Sequence, residues 1–226
     1  MPSVLFVFTS TTKTLSGAQT GWYLPEAAHP YYVLAPHATI EFASPNGANP
    51  PVDEGSVKMF ENDAESIKFL ADEIVKTKLA NAKKLSAVNA KDYDTIFYIG
   101  GHGPVFDLPV DSVNIKLANE FYNSGKIVSA VCHGVAALVG VTDTQGKSIF
   151  AGKNVTGFSN AEEEILGKTK DVPFSTEDRI ISLGGKYTKA DKPFEVKVVV
   201  DGLLLTGQNP ASSGPLGEEI LKALQK

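Results

Sequence analysis

Two periods of apolar and polar positions run through this chain. Short apolar runs come first: 3–8 (SVLFVF), 39–45 (TIEFASP), 94–103 (DTIFYIGGHG) and 126–134 (KIVSAVCHG). Each is bounded by polar or Gly/Pro-rich segments and predicts a buried strand. Later runs, 154–159 (NVTGFS), 195–200 (EVKVVV) and 203–206 (LLLT), add further strands, and Asp201-Gly202 between the last two signals a tight hairpin. The second period is helical. Ile67, Leu70, Ala71, Ile74, Val75 and Leu79 share one face of a 3.6-residue repeat, so the spacing predicts one helix across them, capped by Asn62 or Asp63. Further helices are expected at 111–124, ending at Ser124-Gly125, from 135 onward, and at 213–224. The apolar segment 22–36 is interrupted by Pro25, Pro30 and Pro36, which predicts only short helical turns there.

Strands alternating with helices at this spacing indicate an α/β fold, with a mostly parallel sheet covered on both faces and one antiparallel addition at the hairpin. No linker, repeat or low-complexity tract interrupts residues 1–226, so a single domain is expected. In open sheets of this kind ligands sit beyond the carboxyl ends of the strands. That rule makes Gly100-Gly101-His102-Gly103 and Cys132-His133-Gly134 neighbours in one crevice.

Composition narrows the function classes. Apolar residues make up 42% and charged residues 21%, and the net charge of −5 comes from 26 acidic and 21 basic residues mixed along the chain. No basic block has the density of a nucleic-acid surface. No stretch approaches the roughly 20 apolar residues of a membrane span, and the short N-terminal apolar run reads as a strand, not as a signal peptide. With a single cysteine no internal disulfide can form, which points to a reducing, intracellular setting with the cytoplasm as default.

That cysteine, Cys132, lies in AVCHG, with small residues two positions before and after it (Ala130, Gly134) at a strand-to-helix junction. This is the spacing of a nucleophile elbow, where a tight turn exposes the nucleophile and small flanking residues let strand and helix approach. The following helix N-terminus would lower the thiol pKa. A buried, inert core thiol is the competing reading. His133 is a candidate base or orienting group and its backbone N–H a candidate oxyanion donor, alongside the backbone of Gly100 and Gly101. Two places offer an acid: Glu162, Glu163 and Glu164 in a row, and Glu26, alone among Trp22, Tyr23, Leu24 and alanines. A carboxyl in such surroundings is costly to ionise and would be held neutral or bonded to a partner. His29 and His37 flank prolines and read as structural. No His, Cys, Asp or Glu spacing suggests zinc, Gly101-His102-Gly103 lacks the third glycine of a dinucleotide fingerprint, and neither a P-loop nor a G-x-S-x-G motif is present.

Five blocks in order, GAQTGWYLPEAAHPY (17–31), GGHGPVFDLP (100–109), SAVCHGVAAL (129–138), VTGFSNAEEEILG (155–167) and LLTGQNPASS (204–213), resemble the ThiJ/PfpI superfamily. Within it they are most similar to the small fungal heat-shock-type, glutathione-independent glyoxalases (glyoxalase III). The resemblance implies a flavodoxin-like, class I glutamine amidotransferase-like sandwich with the cysteine at the elbow. It also implies a lyase that converts methylglyoxal and related 2-oxoaldehydes to lactate and other 2-hydroxy acids in stress protection, without metal or cofactor. By position Cys132 is the nucleophile, His133 its partner, Glu26 the buried acid on the thiol, and Glu163 the third member, with Glu162 and Glu164 left as alternatives. Gly101 and His133 would supply the oxyanion donors, and Glu26 or His133 would move the substrate proton. A homodimer, in the cytoplasm or in cytoplasm and nucleus, is the implied assembly. Two other readings remain open: a cysteine hydrolase or deglycase of the same superfamily, and a holding chaperone or redox sensor acting through Cys132.

Overall fold

A computed structural model of the chain describes residues 1–225. Its first strand, β1 (Ser3–Val7), illustrates how the sequence builds the sheet. Val4 and Phe6, with Phe8 just beyond, point into one core, while Leu5 and Val7 point into another. A strand buried on both faces has no polar side to show, so its apolar run is continuous. In chain order the first half continues with α1 (Leu24–Leu34), β2 (Thr39–Ser44), α2 (Glu54–Met59), α3 (Ala64–Ala71), α4 (Glu73–Ala80), the two-residue β3 (Lys83–Lys84) and β4 (Thr95–Tyr98). Then come α5 (Pro104–Asp107), α6 (Ser112–Asn123), β5 (Ile127–Val131), a 3-10 segment (Cys132–Leu138), β6 (Asn154–Val155) and α7 (Asn160–Ile165). The chain ends with α8 (Thr176–Ser182), β7 (Lys186–Tyr187), β8 (Val198–Asp201), β9 (Leu204–Gly207) and α9 (Ser213–Leu224).

Seven strands form the central sheet in the order β3-β2-β1-β4-β5-β9-β8. Every pair is parallel except β8–β9. The aromatic-rich core on one face lies under α1, α3, α4 and α9, and the other under α6, α8 and the 3-10 segment. From β1 the chain adds strands toward one edge and from β4 toward the other, so the order reverses between β1 and β4. In a doubly wound sheet that switch point opens a crevice at the carboxyl ends of the strands. β4 leads straight into Gly100–Gly103 and β5 into Cys132.

Several local expectations are corrected. Residues 24–34 form one continuous helix despite their prolines. Pro25 falls in the first turn, where no N–H is needed, and Pro30 sits inside the helix where α9 packs against it. A Cβ on Gly217 would come 3.0 Å from Pro30 Cα, so α9 meets the kink-prone turn with a glycine and braces it. The single helix expected across 67–79 is two helices. Asp72 takes an extended backbone and its carboxylate accepts from the Ile74 and Val75 amides, ending α3 and capping α4. The apolar stripe is accordingly broken, with Ile67 49% and Ile74 63% exposed. The hairpin turn lies one residue later than expected: Asp201 pairs with Leu204, leaving Gly202 and Leu203 as the loop. Of 154–159 only Asn154 and Val155 are strand, paired with β7 in a separate small sheet. Helices α2, α7 and α8 carry side-chain caps from Asp53, Ser159 and Ser175 that the apolar pattern did not reveal.

Candidate active site

Cys132 is the first residue after β5 and has φ +58°, in the left-handed region that a non-glycine residue rarely adopts. This is the strained turn of a nucleophile elbow. The glycine two residues later is sterically required. A Cβ on Gly134 would lie 2.6 Å from the Tyr98 carbonyl oxygen, so the elbow closes onto β4 only without one. The elbow leads into the buried 3-10 segment 132–138 rather than the expected α-helix. The thiol is not simply acidified. Burial and the Glu26 carboxyl push it up, while the backbone N–H groups of Gly101 and His133 pull the other way.

Glu26 sits in the first turn of α1 and is fully buried. Its polar neighbours are the Cys132 thiol and the Gly100 amide. Burial pushes this carboxyl well up, the thiol contact opposes the shift, and the charges of Asp53 and Glu162 add to it. The Glu26–Cys132 pair therefore holds at most one negative charge. Gly100 must be glycine here: a Cβ would collide with Glu26 Oε2 and stand 2.7 Å from Cys132 Cβ. Its amide lies on the Glu26 side and the Gly101 amide on the sulfur side, yet neither Glu26 carboxyl oxygen has a hydrogen-bond partner among the described residues.

On the other side of the sulfur, His133 Nδ1 lies 3.4 Å from Sγ, and His133 Nε2–H donates to Glu163 Oε2 at 2.6 Å. Of the three consecutive glutamates it is Glu163 that reaches His133. Glu162 instead accepts from Ser159 N and Oγ, Phe194 N and Asn209 Nδ2, closing a capping box on α7, and Glu164 is exposed. Glu163 has a second partner that the sequence pattern does not disclose. His102 Nε2–H donates to Oε1 at 2.7 Å, and its ring centroid is 4.2 Å from that of His133. Burial alone would raise the Glu163 carboxyl, but the His133 charge and the two imidazole hydrogen bonds outweigh it and hold it well below the usual carboxylate range. Burial and then the neighbouring His133 lower His102, against the Glu163 hydrogen bond. The one sequence signal for His102 is its place in the GGHG block at the end of β4. The Phe158 ring packs against His133 in a tilted arrangement, with ring centroids 4.4 Å apart.

Glu26, His102, Cys132 and His133 open into one cavity of about 460 Å3, walled mainly by Tyr23, Met59, Phe60, Phe158 and Phe194. His29, expected to be structural, borders it and pairs with Asp63 at 2.9 Å; His37 is exposed and outside it. His102, His133 and Glu163, too far apart in sequence to suggest a metal, offer three potential ligand atoms within 4.8 Å of one another. Coordination through the Nε2 atoms would remove the hydrogen bonds that they now donate to Glu163.

The model of the DJ-1/PfpI family matches residues 25–223. The chain belongs to the DJ-1/PfpI family. Its flavodoxin-like, glutamine amidotransferase-like α/β fold agrees with that membership. The glutathione-independent glyoxalase HSP31 of Saccharomyces cerevisiae is 34% identical, with 98% of each chain covered. Glyoxalase 3 of Candida albicans is 33% identical, over 100% of this chain and 99% of the relative. Among solved structures, glyoxalase III from Candida albicans superposes with a TM-score of 0.89 at 31% identity, covering 98% of this chain and 97% of that one. The Rapid Encystment Protein of Francisella tularensis does so at 0.93 and 38%, covering 99% of both. This DJ-1/PfpI protein thus matches such relatives along essentially its whole length. No helix among the described residues is long and apolar enough to cross a membrane.

Proposed function

We propose that this chain is a glutathione-independent glyoxalase that converts methylglyoxal and related 2-oxoaldehydes to 2-hydroxy acids on Cys132. The observation that carries the reading is the chain of contacts from the Cys132 sulfur through His133 to Glu163, at 3.4 and 2.6 Å, facing a largely apolar cavity beside Glu26. The full-length likeness to proteins named as glyoxalases supports the same chemistry.

In this reading the sulfur adds to the aldehyde carbon as its proton passes to His133, and that proton then reaches the former aldehyde oxygen to give a hemithioacetal. The carbon-bound proton then leaves, its electron pair forms a double bond between the two former carbonyl carbons as the ketone oxygen takes the charge, and a proton returns to the neighbouring carbon while the hydroxyl proton shifts to that oxygen. A 2-hydroxyacyl thioester results, and water releases the 2-hydroxy acid and the thiol. The aldehyde carbon is oxidised and the ketone carbon reduced within one molecule, so no external oxidant enters and the enzyme's thiol takes the place of glutathione. The Gly101 and His133 amides, which pull the thiol pKa down, would stabilise the oxyanion formed on addition. The same trio would serve a cysteine hydrolase, so the deciding assay is product identity. Purified protein given methylglyoxal yields lactate; release of amine from amide or glycated substrates with no lactate would transfer the site to hydrolysis. Suppression of client aggregation without either product would leave only the chaperone role.

A homodimer in the cytoplasm completes the proposal. Light scattering should return twice the 24.1 kDa chain mass; the mass of one chain would remove the dimer and leave the site chemistry untouched.

A further inference from the structure

The glyoxalase reaction needs a group that takes the proton from the hemithioacetal carbon, and the groups nearest the sulfur are poorly suited to it. The Nδ1 of His133 faces Sγ at 3.4 Å, and its ring cannot swing toward substrate because Nε2–H is tied to Glu163 at 2.6 Å. Glu26 sits at 0% exposure with no cationic or hydrogen-bonding partner on its carboxyl oxygens, so ionising it to act as a base is costly. A third group lies on the same cavity wall. His102 is held by Glu163 in the manner of His133, each imidazole on its own carboxylate oxygen. An ionised carboxylate accepts from Nε2–H, which leaves Nδ1 of a neutral ring as a lone pair. The His102 Nδ1 makes no hydrogen bond among the described residues, and the ring borders the cavity that contains Cys132.

Resting on the glyoxalase reading, we infer that His102 is the acid–base residue of the isomerisation: its Nδ1 takes the proton from the hemithioacetal carbon and returns it to the adjacent carbon. In the first half the C–H bond breaks and an N–H bond forms at Nδ1, while the electron pair forms the carbon–carbon double bond and the ketone π pair moves onto its oxygen, giving an enediolate. In the second half the Nδ1 proton moves to the former ketone carbon, and the hydroxyl proton of the sulfur-bearing carbon passes to the neighbouring enediolate oxygen, leaving the thioester carbonyl. Nothing is consumed, and His102 ends as it began. Glu163 thereby orients two imidazoles for two tasks, one at the sulfur and one at carbon.

The test separates adduct formation from isomerisation. Cys132 adduct formation with methylglyoxal is followed by intact-protein mass and by protection of the thiol from alkylation, and lactate is measured in parallel. His102→Gln, which keeps an N–H for the Glu163 carboxylate, and His102→Ala should both form the adduct yet make lactate about 10²–10⁴-fold more slowly. Added imidazole should restore part of the rate to His102→Ala, more with more basic imidazoles. Lactate production within threefold of wild type in His102→Gln would overturn the inference. So would loss of the adduct together with the lactate, or a deficit that no imidazole relieves, since either marks a structural role. Absence of lactate from the wild-type protein would instead sink the glyoxalase reading itself.

Discussion

At the scale of single residues, Glu26 is the group whose surroundings differ most from water. Burial holds its carboxyl neutral in the folded chain, where the unfolded chain ionises it above about pH 4.3. Folding thus releases no proton there while unfolding does, and stability is lost as pH rises from that value toward the folded pKa. Glu26→Gln removes this linkage. The variant should melt higher than wild type at pH 8 and no higher at pH 4, while turnover falls at least tenfold. A melting difference that does not vary with pH would mean that the carboxyl is not held neutral. The three consecutive glutamates should separate cleanly. Glu163→Gln should cut turnover about a hundredfold or more by freeing both imidazoles. Glu162→Gln, with its four accepted hydrogen bonds, should cost stability, on the order of 1–3 kcal/mol, and Glu164→Gln should change neither. Equal effects at all three positions would contradict this division. The sequence pattern alone could not choose among them, because their roles differ by which side of α7 faces the 3-10 segment. It could isolate Cys132 and Glu26, since a lone thiol between small residues and a lone carboxyl among aromatics are visible without a fold. His102 was hidden because its partner lies 61 residues away.

Elements behaved as their caps dictated more than as their apolar faces did. The stripe at 67–79 reads as one helix, yet Asp72 offers its carboxylate to two amides and splits it. Replacing Asp72 by Ala should cost about 1 kcal/mol in urea unfolding and leave turnover unchanged, because α3 and α4 lie away from the elbow. An unchanged urea midpoint, with the break still in place, would show that the break is not the cap's doing. The opposite error occurred at α1, where prolines counted as stops are accommodated by the first turn and by the close passage of α9 at Gly217. Neither outcome is visible locally, since one depends on a side-chain hydrogen bond and the other on a partner near the end of the chain. At the elbow, Gly134→Ala should be strongly destabilising, because its Cβ would press on the Tyr98 carbonyl at 2.6 Å. An unaltered melting temperature there would show that the turn has slack.

For the whole molecule, alternating strands and helices were enough to expect a parallel sheet and a crevice at the strand ends. The switch between β1 and β4 then brings α1, the Gly100–Gly103 loop, the elbow and α7 around one sulfur. The pattern could not tell that β6 and β7 stand apart from that sheet, because two-residue strands carry no period. The arrangement makes catalysis depend on a single atom. The most direct measurement is therefore the initial rate of lactate formation from methylglyoxal, glutathione omitted, by wild type and by Cys132→Ala of verified fold. The account predicts lactate from wild type and none above the buffer rate from the variant. Equal rates from the two proteins would contradict it.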